Sequence, residues 1–131
     1  MRIDYVYLKE MLDVFLDSDL PFVTWDDFKK QRVDNEHKLV FHLEILQDKD
    51  LIVGSLTNDN LGVRGISDNY MVHIKPWRLS SDGHDFANSL NKPDILATIT
   101  NNFKEQGLSI VIDIAKKVAV KKATQYLEQN T

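Results

Sequence analysis

Apolar residues in the first half of the chain recur at helical spacing, and polar residues or prolines interrupt them at intervals. Near the N-terminus, five apolar residues follow one another at intervals that place them on one helix face: Leu8, Met11, Leu12, Phe15 and Leu16. This stripe predicts a helix over about residues 4–17, with Asp4 as its N-cap. Thr24 and Asp27 have the spacing of a capping motif and predict a short second helix that ends near Arg32.

A third helix is predicted from Asp34, the candidate N-cap, to about Lys49. Its buried face is a stripe of four residues: Leu39, Val40, Leu43 and Leu46. Residues 51–56 form a short apolar run typical of a strand, and residues 70–79 are predicted to be its return strand. The connection over residues 57–69 is rich in glycine, asparagine and aspartate, which is the composition of an exposed hairpin tip.

Residues 77–90 (WRLSSDGHDFANSL) allow two interpretations. Two aspartates and His84 around a glycine are typical of a catalytic or metal-binding loop, but the same residues also fit a strand followed by a capped helix. A metal or general-base site needs several convergent partners, and the sequence identifies none. We therefore predict a helix start, with Ser80 or Ser81 as the cap and Gly83 allowing close packing on the sheet.

The C-terminal third is predicted to be helical. Pro93 suits the first turn of a helix over about residues 94–106, which Gly107 ends. The final helix, over about residues 109–128, has two apolar flanks, whereas a surface helix needs only one. The second flank consists of Ile112, Ala119, Ala123, Tyr126 and Leu127. We predict that these residues form part of a homodimer interface.

The order of the predicted elements indicates the fold class. A helix, a short helix, a longer helix, a two-stranded hairpin and further helices predict an α+β fold of the winged helix-turn-helix type. Its core, with a two-stranded wing, covers residues 1–91, and a C-terminal helical extension of the same single domain covers residues 92–131. Residues 42–52 (HLEILQDKDLI) resemble the helix-then-strand signature of many winged-helix proteins.

Residues 79–86 (LSSDGHDF) contain a second resemblance, because LSSDG is similar to the Leu-Ser/Thr-x-x-Gly stretch that begins the helix after the wing. Together with the two helices that follow, this segment resembles domain of unknown function family 2513. Members of that family are small winged-helix proteins of bacteria and phages. The resemblance covers most of the chain and implies this fold and a bacterial or phage setting, but it supplies no catalytic residue.

Composition limits the class of protein. With 131 residues, 43% of them apolar and 27% charged, the chain is expected to fold as one globular domain. It contains no cysteine, which excludes disulfides and thiolate chemistry. No membrane span, signal peptide, phosphate-binding loop or dinucleotide motif is recognisable, so we expect a cytoplasmic protein that is not an enzyme. We expect no cofactor, metal, membrane partner or small-molecule substrate.

Charge is distributed unevenly along the chain, whose net charge is −4. Residues 1–60 contain seven Lys and Arg against thirteen Asp and Glu, whereas residues 61–131 contain nine against seven. The basic character of the C-terminal part comes mainly from Lys116, Lys117, Lys121 and Lys122. A protein that binds nucleic acid through phosphates usually presents a basic face, and this distribution does not indicate one.

The third predicted helix is the recognition helix of the expected fold. The face opposite its leucines contains His37, Lys38, Phe41, Glu44, Ile45 and Asp48, of which all but Lys38 are the candidate protein contacts. Carboxylates on this face would repel phosphates, which favours a protein partner, or a second copy of the chain, over a duplex. An alternative with about equal weight is that Phe41 and Ile45 are covered by the N-terminal helix or the wing.

DNA binding is the second functional hypothesis, in the form of a dimeric transcription regulator. Its candidate residues would contact the backbone, base edges or the minor groove: Lys29, Lys30, Arg32, Asn35, Lys38, His42 and Arg64. Each of these residues, taken alone, is more simply explained as a solvated surface side chain. The sequence therefore favours a non-catalytic, protein-binding winged-helix module, with DNA binding as the alternative.

Overall fold

The computed structural model describes residues 1–30, 35–55 and 60–130. Within these ranges the chain has a mixed α+β architecture of six helices and two small antiparallel sheets, which confirms the α+β part of the prediction. In chain order the elements are α1 (Tyr5–Leu16), α2 (Trp25–Lys30), α3 (Glu36–Asp48), β1 (Ile52–Gly54), β2 (Val63–Ile66), β3 (Asn69–Val72), β4 (Trp77–Leu79), α4 (Ser81–Leu90), α5 (Pro93–Asn102) and α6 (Leu108–Gln129).

Strand β4 holds the first sheet together. It pairs antiparallel with β1, so that Gly54 lies opposite Trp77. On its other side, Trp77 and Val23 exchange two backbone hydrogen bonds of 2.8 Å each. The indole of Trp77 is buried and donates from Nε1 to the carbonyl oxygen of Leu61 at 2.9 Å. Through these hydrogen bonds, Trp77 connects β4 to the segment before α2 and to the segment between β1 and β2.

The single hairpin predicted from the sequence is wrong in detail. The predicted return strand is divided, because β3 pairs with β2 inside the expected loop and only β4 pairs with β1. Gly62, with φ of 79°, allows the chain to enter this second hairpin, since a Cβ there would lie 2.2 Å from the carbonyl oxygen of His73. Ser67, with φ of 55°, lies in the turn between β2 and β3.

Local capping signals largely explain where the helices begin. Asp4 caps α1, as predicted, and its carboxylate accepts a hydrogen bond from the N–H of Tyr7 at 3.1 Å. The carboxylate of Asp27 accepts from the N–H of Thr24 at 2.8 Å, which is one half of the expected capping box. The cap of α3 is Asn35, and the predicted cap Asp34 lies outside the described residues.

The segment with two interpretations is a strand followed by a capped helix. Ser80, rather than Ser81, caps α4 and accepts from the N–H of Gly83 at 3.0 Å. A Cβ on Gly83 would lie 1.9 Å from the carbonyl oxygen of Leu51, so this position tolerates only glycine without a shift of the backbone. The same carbonyl accepts from the N–H of Ser80 at 2.9 Å. The start of α4 is thereby fixed directly to the start of β1.

The last two helices pack on α1 and α4, but their bounds differ from the prediction. Helix α5 ends at Asn102, and Gly107 is the N-cap of α6 instead of the end of α5. The buried residues of α6, Leu108, Val111 and Ala115, all lie in its first half. From position 123 to position 130 every residue is exposed. The C-terminal end of α6 thus extends beyond the packed body, and no helix of the described ranges is long and apolar enough to span a membrane.

Candidate functional site

The outer face of α3 (His37, Phe41, Glu44 and Asp48, with Ile45 at its edge) lies opposite the buried leucines of the helix. Glu44 and Asp48 are exposed, and no ion pair between described residues includes either carboxylate. Phe41 and Ile45 are half-buried. The face therefore combines two hydrated negative charges with a partly accessible apolar centre.

A groove of about 330 Å³ explains why Phe41 and Ile45 are only half-buried. Its walls are α3 on one side and, on the other, Ile3 before α1 and Gly107 after α5. Ile45 also packs against the hydrophobic core. The expected covering of these two side chains is thus partial, and it comes from the N-terminal segment and the connection before α6 rather than from the hairpin.

His37 links the outer face to the β2–β3 hairpin. Its Nδ1 lies 2.7 Å from the hydroxyl oxygen of Tyr70, and the two rings meet edge to face with their centroids 5.3 Å apart. Both residues keep solvent-accessible surface. This contact places β3 beside the N-terminal end of α3, so any partner that covers His37 also meets the hairpin.

A polar junction joins the N-terminus of α1 to α3; we call Asp4, Lys38 and His42 the α1–α3 junction. His42 has 0% exposure. Its Nδ1 lies 2.7 Å from the carbonyl oxygen of Lys38, and its Nε2 accepts from the N–H of Asp4 at 3.0 Å. These two partners require a neutral ring with its proton on Nδ1. The expectation that His42 reaches a base edge is therefore wrong, because its ring is enclosed and both nitrogens are engaged.

The pKa values at the α1–α3 junction follow from burial and pairing. Burial lowers the pKa of His42 below its ordinary 6.5 and outweighs the hydrogen bond to the Lys38 carbonyl, which raises it; the charge of Lys38 lowers this pKa further, while that of Asp4 opposes the shift. Burial alone would raise the pKa of Asp4, but hydrogen bonds from Lys38 and from the N–H of Tyr7 outweigh it and leave this pKa below 3.8. A charged Asp4 and a neutral His42 are therefore the stable forms.

Most of the residues proposed for DNA binding are already engaged within the chain. Lys38 Nζ lies 2.7 Å from Asp4 Oδ2, and Lys29 Nζ lies 3.0 Å from Glu36 Oε1. The side chain of Asn35 accepts the capping hydrogen bond from the N–H of Lys38. Each of these contacts uses a group that phosphate or base recognition would need.

The remaining described candidates for DNA contact lie outside α3. Lys30, at the end of α2, and Arg64, in β2, are exposed and have no ion pair with a described residue. Arg32 lies outside the described residues. The described cations among the candidates thus lie on three different elements, α2, α3 and β2.

The predicted dimer flank of α6 divides into two parts. Ile112 and Ala119 are half-buried and pack against the core of their own chain. Ala123, Tyr126 and Leu127 are exposed, with 65% and 61% exposure for the two large side chains. The sequence prediction missed Val120, which is 64% exposed and lies three and seven positions before Ala123 and Leu127. This helical spacing was the sequence signal that could have placed Val120 on the same face.

Side chains that could bind a metal do not converge in the described ranges. No group of three or more His, Asp or Glu side chains there has an arrangement that could hold a metal ion. His84, Asp82 and Asp85 are exposed on α4. The pKa of Tyr5 is also displaced: burial raises it to about 12, and the Tyr5 hydroxyl donates to the carbonyl oxygen of Gln106 at 2.6 Å. This contact ties α1 to the connection before α6.

The acidic, partly apolar face of α3 and the basic, partly apolar end of α6 are both exposed to solvent. Comparisons of the chain with models of protein families, with curated proteins and with solved structures find no match. The α1–α3 junction, by contrast, is internally satisfied and has a structural role.

Proposed function

We propose that this protein is a non-catalytic, winged-helix binding module that recognises a protein partner through the outer face of α3. The arrangement of three helices before a small sheet supports the winged-helix assignment, with β4 bonded to β1 and to Val23. The β2–β3 hairpin takes the place of the wing tip. The resemblance to small winged-helix proteins of bacteria and phages favours a regulatory role in such an organism.

The observation that carries the proposal is the pair of unneutralised carboxylates on α3. Glu44 and Asp48 are one turn apart, so both would approach the same part of a bound molecule. Beside a duplex they would add repulsion and no counterion release. Beside a protein segment with lysine or arginine, the same charges would be attractive, and Phe41 would supply an apolar contact at the centre.

A titration with duplex DNA tests the choice between protein and nucleic acid. Labelled random-sequence duplex at low salt is expected to show no binding to the wild-type protein. The double variant Glu44→Lys/Asp48→Lys should gain weak binding that falls steeply with added salt, since four units of charge change on one face. Micromolar binding by the wild type, with a steep dependence on salt, would support the transcription-regulator alternative instead.

Site-specific photo-crosslinking tests the surface itself. A photoreactive residue replaces Glu44, and a matched control replaces Asn88, which is exposed on α4. In bacterial cells we expect a discrete protein adduct at position 44 that the control lacks and that Phe41→Ala weakens. Adducts shared equally by both positions, or a nucleic-acid adduct at position 44, would contradict the proposed function.

A further inference from the structure

We propose that the partner of the outer face of α3 is the C-terminal end of α6 from a second copy of the chain, so that two copies form a reciprocal dimer. This inference rests on the proposed function, because it names the occupant of the same face. The end of α6 is defined as residues 116–130. Each copy then offers one α3 face and one α6 end, and the two contacts are related by a two-fold axis.

The exposed apolar side chains of the α6 end form a single face. Val120, Ala123 and Leu127 follow one another at intervals of three and four, with Tyr126 beside them. Scattered apolar residues are normal on a protein surface, but here three large ones occupy the last three turns of one helix. Because an exposed helix end that packs against nothing has little stability of its own, contact with a partner would stabilise this segment.

Charge identifies which surface covers that face. Lys116, Lys117 and Lys121 are exposed on α6, while Lys122 is paired with Asp94. Packing two α6 ends against each other would bring the exposed lysines of both copies together, which is unfavourable. Packing the α6 end against the outer face of α3 instead brings Lys116 and Lys117, which lie on or beside the apolar face of α6, to Glu44 and Asp48, neither of which forms an ion pair with a described residue.

The two faces also agree in size. From His37 to Asp48 along α3, and from Lys116 to Leu127 along α6, the rise is about 16 Å in each case. The groove of about 330 Å³ beside Phe41 offers space for one large side chain of the incoming helix. Tyr126 supplies an anchor of the type that dominates protein interfaces. Two-fold symmetry repeats this contact and doubles the buried area.

Charge reversal combined with light scattering on size-exclusion fractions tests the inference. At tens of micromolar and low salt, the wild type should have twice the chain mass of 15.1 kDa. Glu44→Lys/Asp48→Lys and Lys116→Glu/Lys117→Glu should each raise the dissociation constant about 10- to 100-fold and elute as monomers. The control Asp17→Lys/Asp19→Lys, with the same change of charge at the exposed end of α1, should remain dimeric.

The decisive experiment combines the two charge-reversed surfaces. An equimolar mixture of the two double variants should dimerise again, and so should the quadruple variant, because each contact regains opposite charges. A dimer built from two α6 ends predicts otherwise: reversal on α3 would leave it intact, and the quadruple variant would gain nothing from the α3 changes. Circular dichroism of every variant verifies that loss of the dimer is not loss of the fold.

Disulfide trapping provides a second measurement that does not depend on charge. The chain has no cysteine, so Glu44→Cys in one tagged copy and Lys117→Cys in another give a unique mixed pair. Oxidation should link this pair, whereas Asp19→Cys with Lys117→Cys should stay unlinked. A monomeric wild type, or equal linking of both pairs, would overturn the inference. Neither result affects the proposed function, which fails instead if wild-type protein binds DNA or if position 44 gives no specific protein adduct.

Discussion

The two halves of α3 differ in whether their charged side chains are paired within the chain. In the first half, Glu36 is paired with Lys29, Lys38 is paired with Asp4, and both nitrogens of His42 have backbone partners. In the second half, no described residue forms an ion pair with Glu44 or Asp48. Paired groups fix α3 to α1 and α2, whereas unpaired, hydrated groups contribute little to folding and remain available to a partner.

Burial is the physical origin of this difference. A polar ring with 0% exposure, such as that of His42, is tolerated only when its nitrogens are hydrogen-bonded. Exposed carboxylates such as Glu44 and Asp48 keep their water and need no internal partner. The first half of α3 should therefore respond to substitution with a change in stability, and the second half with a change in association.

The largest expected effect on stability is that of His42→Leu. This change leaves the partly buried N–H of Asp4 without its acceptor and removes the side-chain donor to the carbonyl oxygen of Lys38, which keeps its helical bond. We expect the free energy of unfolding to fall by about 2–3 kcal/mol, measured by urea titration. If the variant were as stable as the wild type, the α1–α3 junction would have no structural role, and the contrast between the halves of α3 would disappear.

The pH dependence of stability should come next in size. Unfolded His42 takes up a proton near pH 6.5, whereas burial lowers the pKa of the folded residue, so the unfolded state binds more protons below this pH. Stability is then complete above pH 6.5 and decreases as the pH falls through and below that value. The slope contributed by one histidine is at most about 1.4 kcal/mol per pH unit.

A matched variant separates His42 from the other titrating groups. His42→Gln keeps a side-chain acceptor for the N–H of Asp4 but has no charge to gain, so its stability should vary less between pH 6.5 and pH 5. Asp4 acts in a different window, because its lowered pKa gives stability that is present above pH 3.8 and lost at lower pH. An unchanged slope in His42→Gln would assign the dependence to another group.

A smaller effect is expected for Lys38→Met, which removes the partly exposed ion pair with Asp4 and the contact of Nζ with the ring of Tyr7 at 4.7 Å. The loss should be below about 1 kcal/mol, because solvent screens the pair. A double-mutant cycle with Asp4→Asn, which preserves an N-cap, isolates the coupling between the two side chains. A coupling energy of zero would mean that the ion pair between Lys38 and Asp4 contributes nothing to the stability of the α1–α3 junction.

The smallest change in stability is expected for Glu44→Gln/Asp48→Asn. Both positions are hydrated, so the free energy of unfolding should stay within about 0.5 kcal/mol of the wild type. Dimerisation, measured by light scattering, should nevertheless weaken. A double variant that unfolded easily would show that these carboxylates stabilise the fold, and the division of α3 into two halves would fail.

Sequence reasoning succeeded where the signal is local. The caps at Asp4 and Ser80 and the close approach at Gly83 each follow from a few adjacent residues. It failed at the second hairpin, because β2 lies in a segment whose glycine and polar residues resemble a loop in composition, although its partner β3 is close in the chain. The winged-helix arrangement and the binding residues remain predictions.

His42 is the most instructive of these errors. Because histidine is polar, we expected His42 to be exposed at the surface. Its position, three residues after Leu39 and four before Leu46, is however on the flank of the buried stripe. Spacing therefore indicated an inward position. Its acceptor role could not be inferred, because the N–H that it binds belongs to Asp4, 38 positions earlier in the chain.

The contact of Ser80 and Gly83 with the Leu51 carbonyl has an evolutionary consequence. This contact holds Leu51 beside Ser80 and Gly83, so the two ends of the segment between Leu51 and Ser80 have a fixed separation. The turn at Ser67 lies at the exposed far end of this segment. Insertions there would alter length and sequence without displacing α3 from α4, which makes this turn the natural place for diversification and for grafting a label.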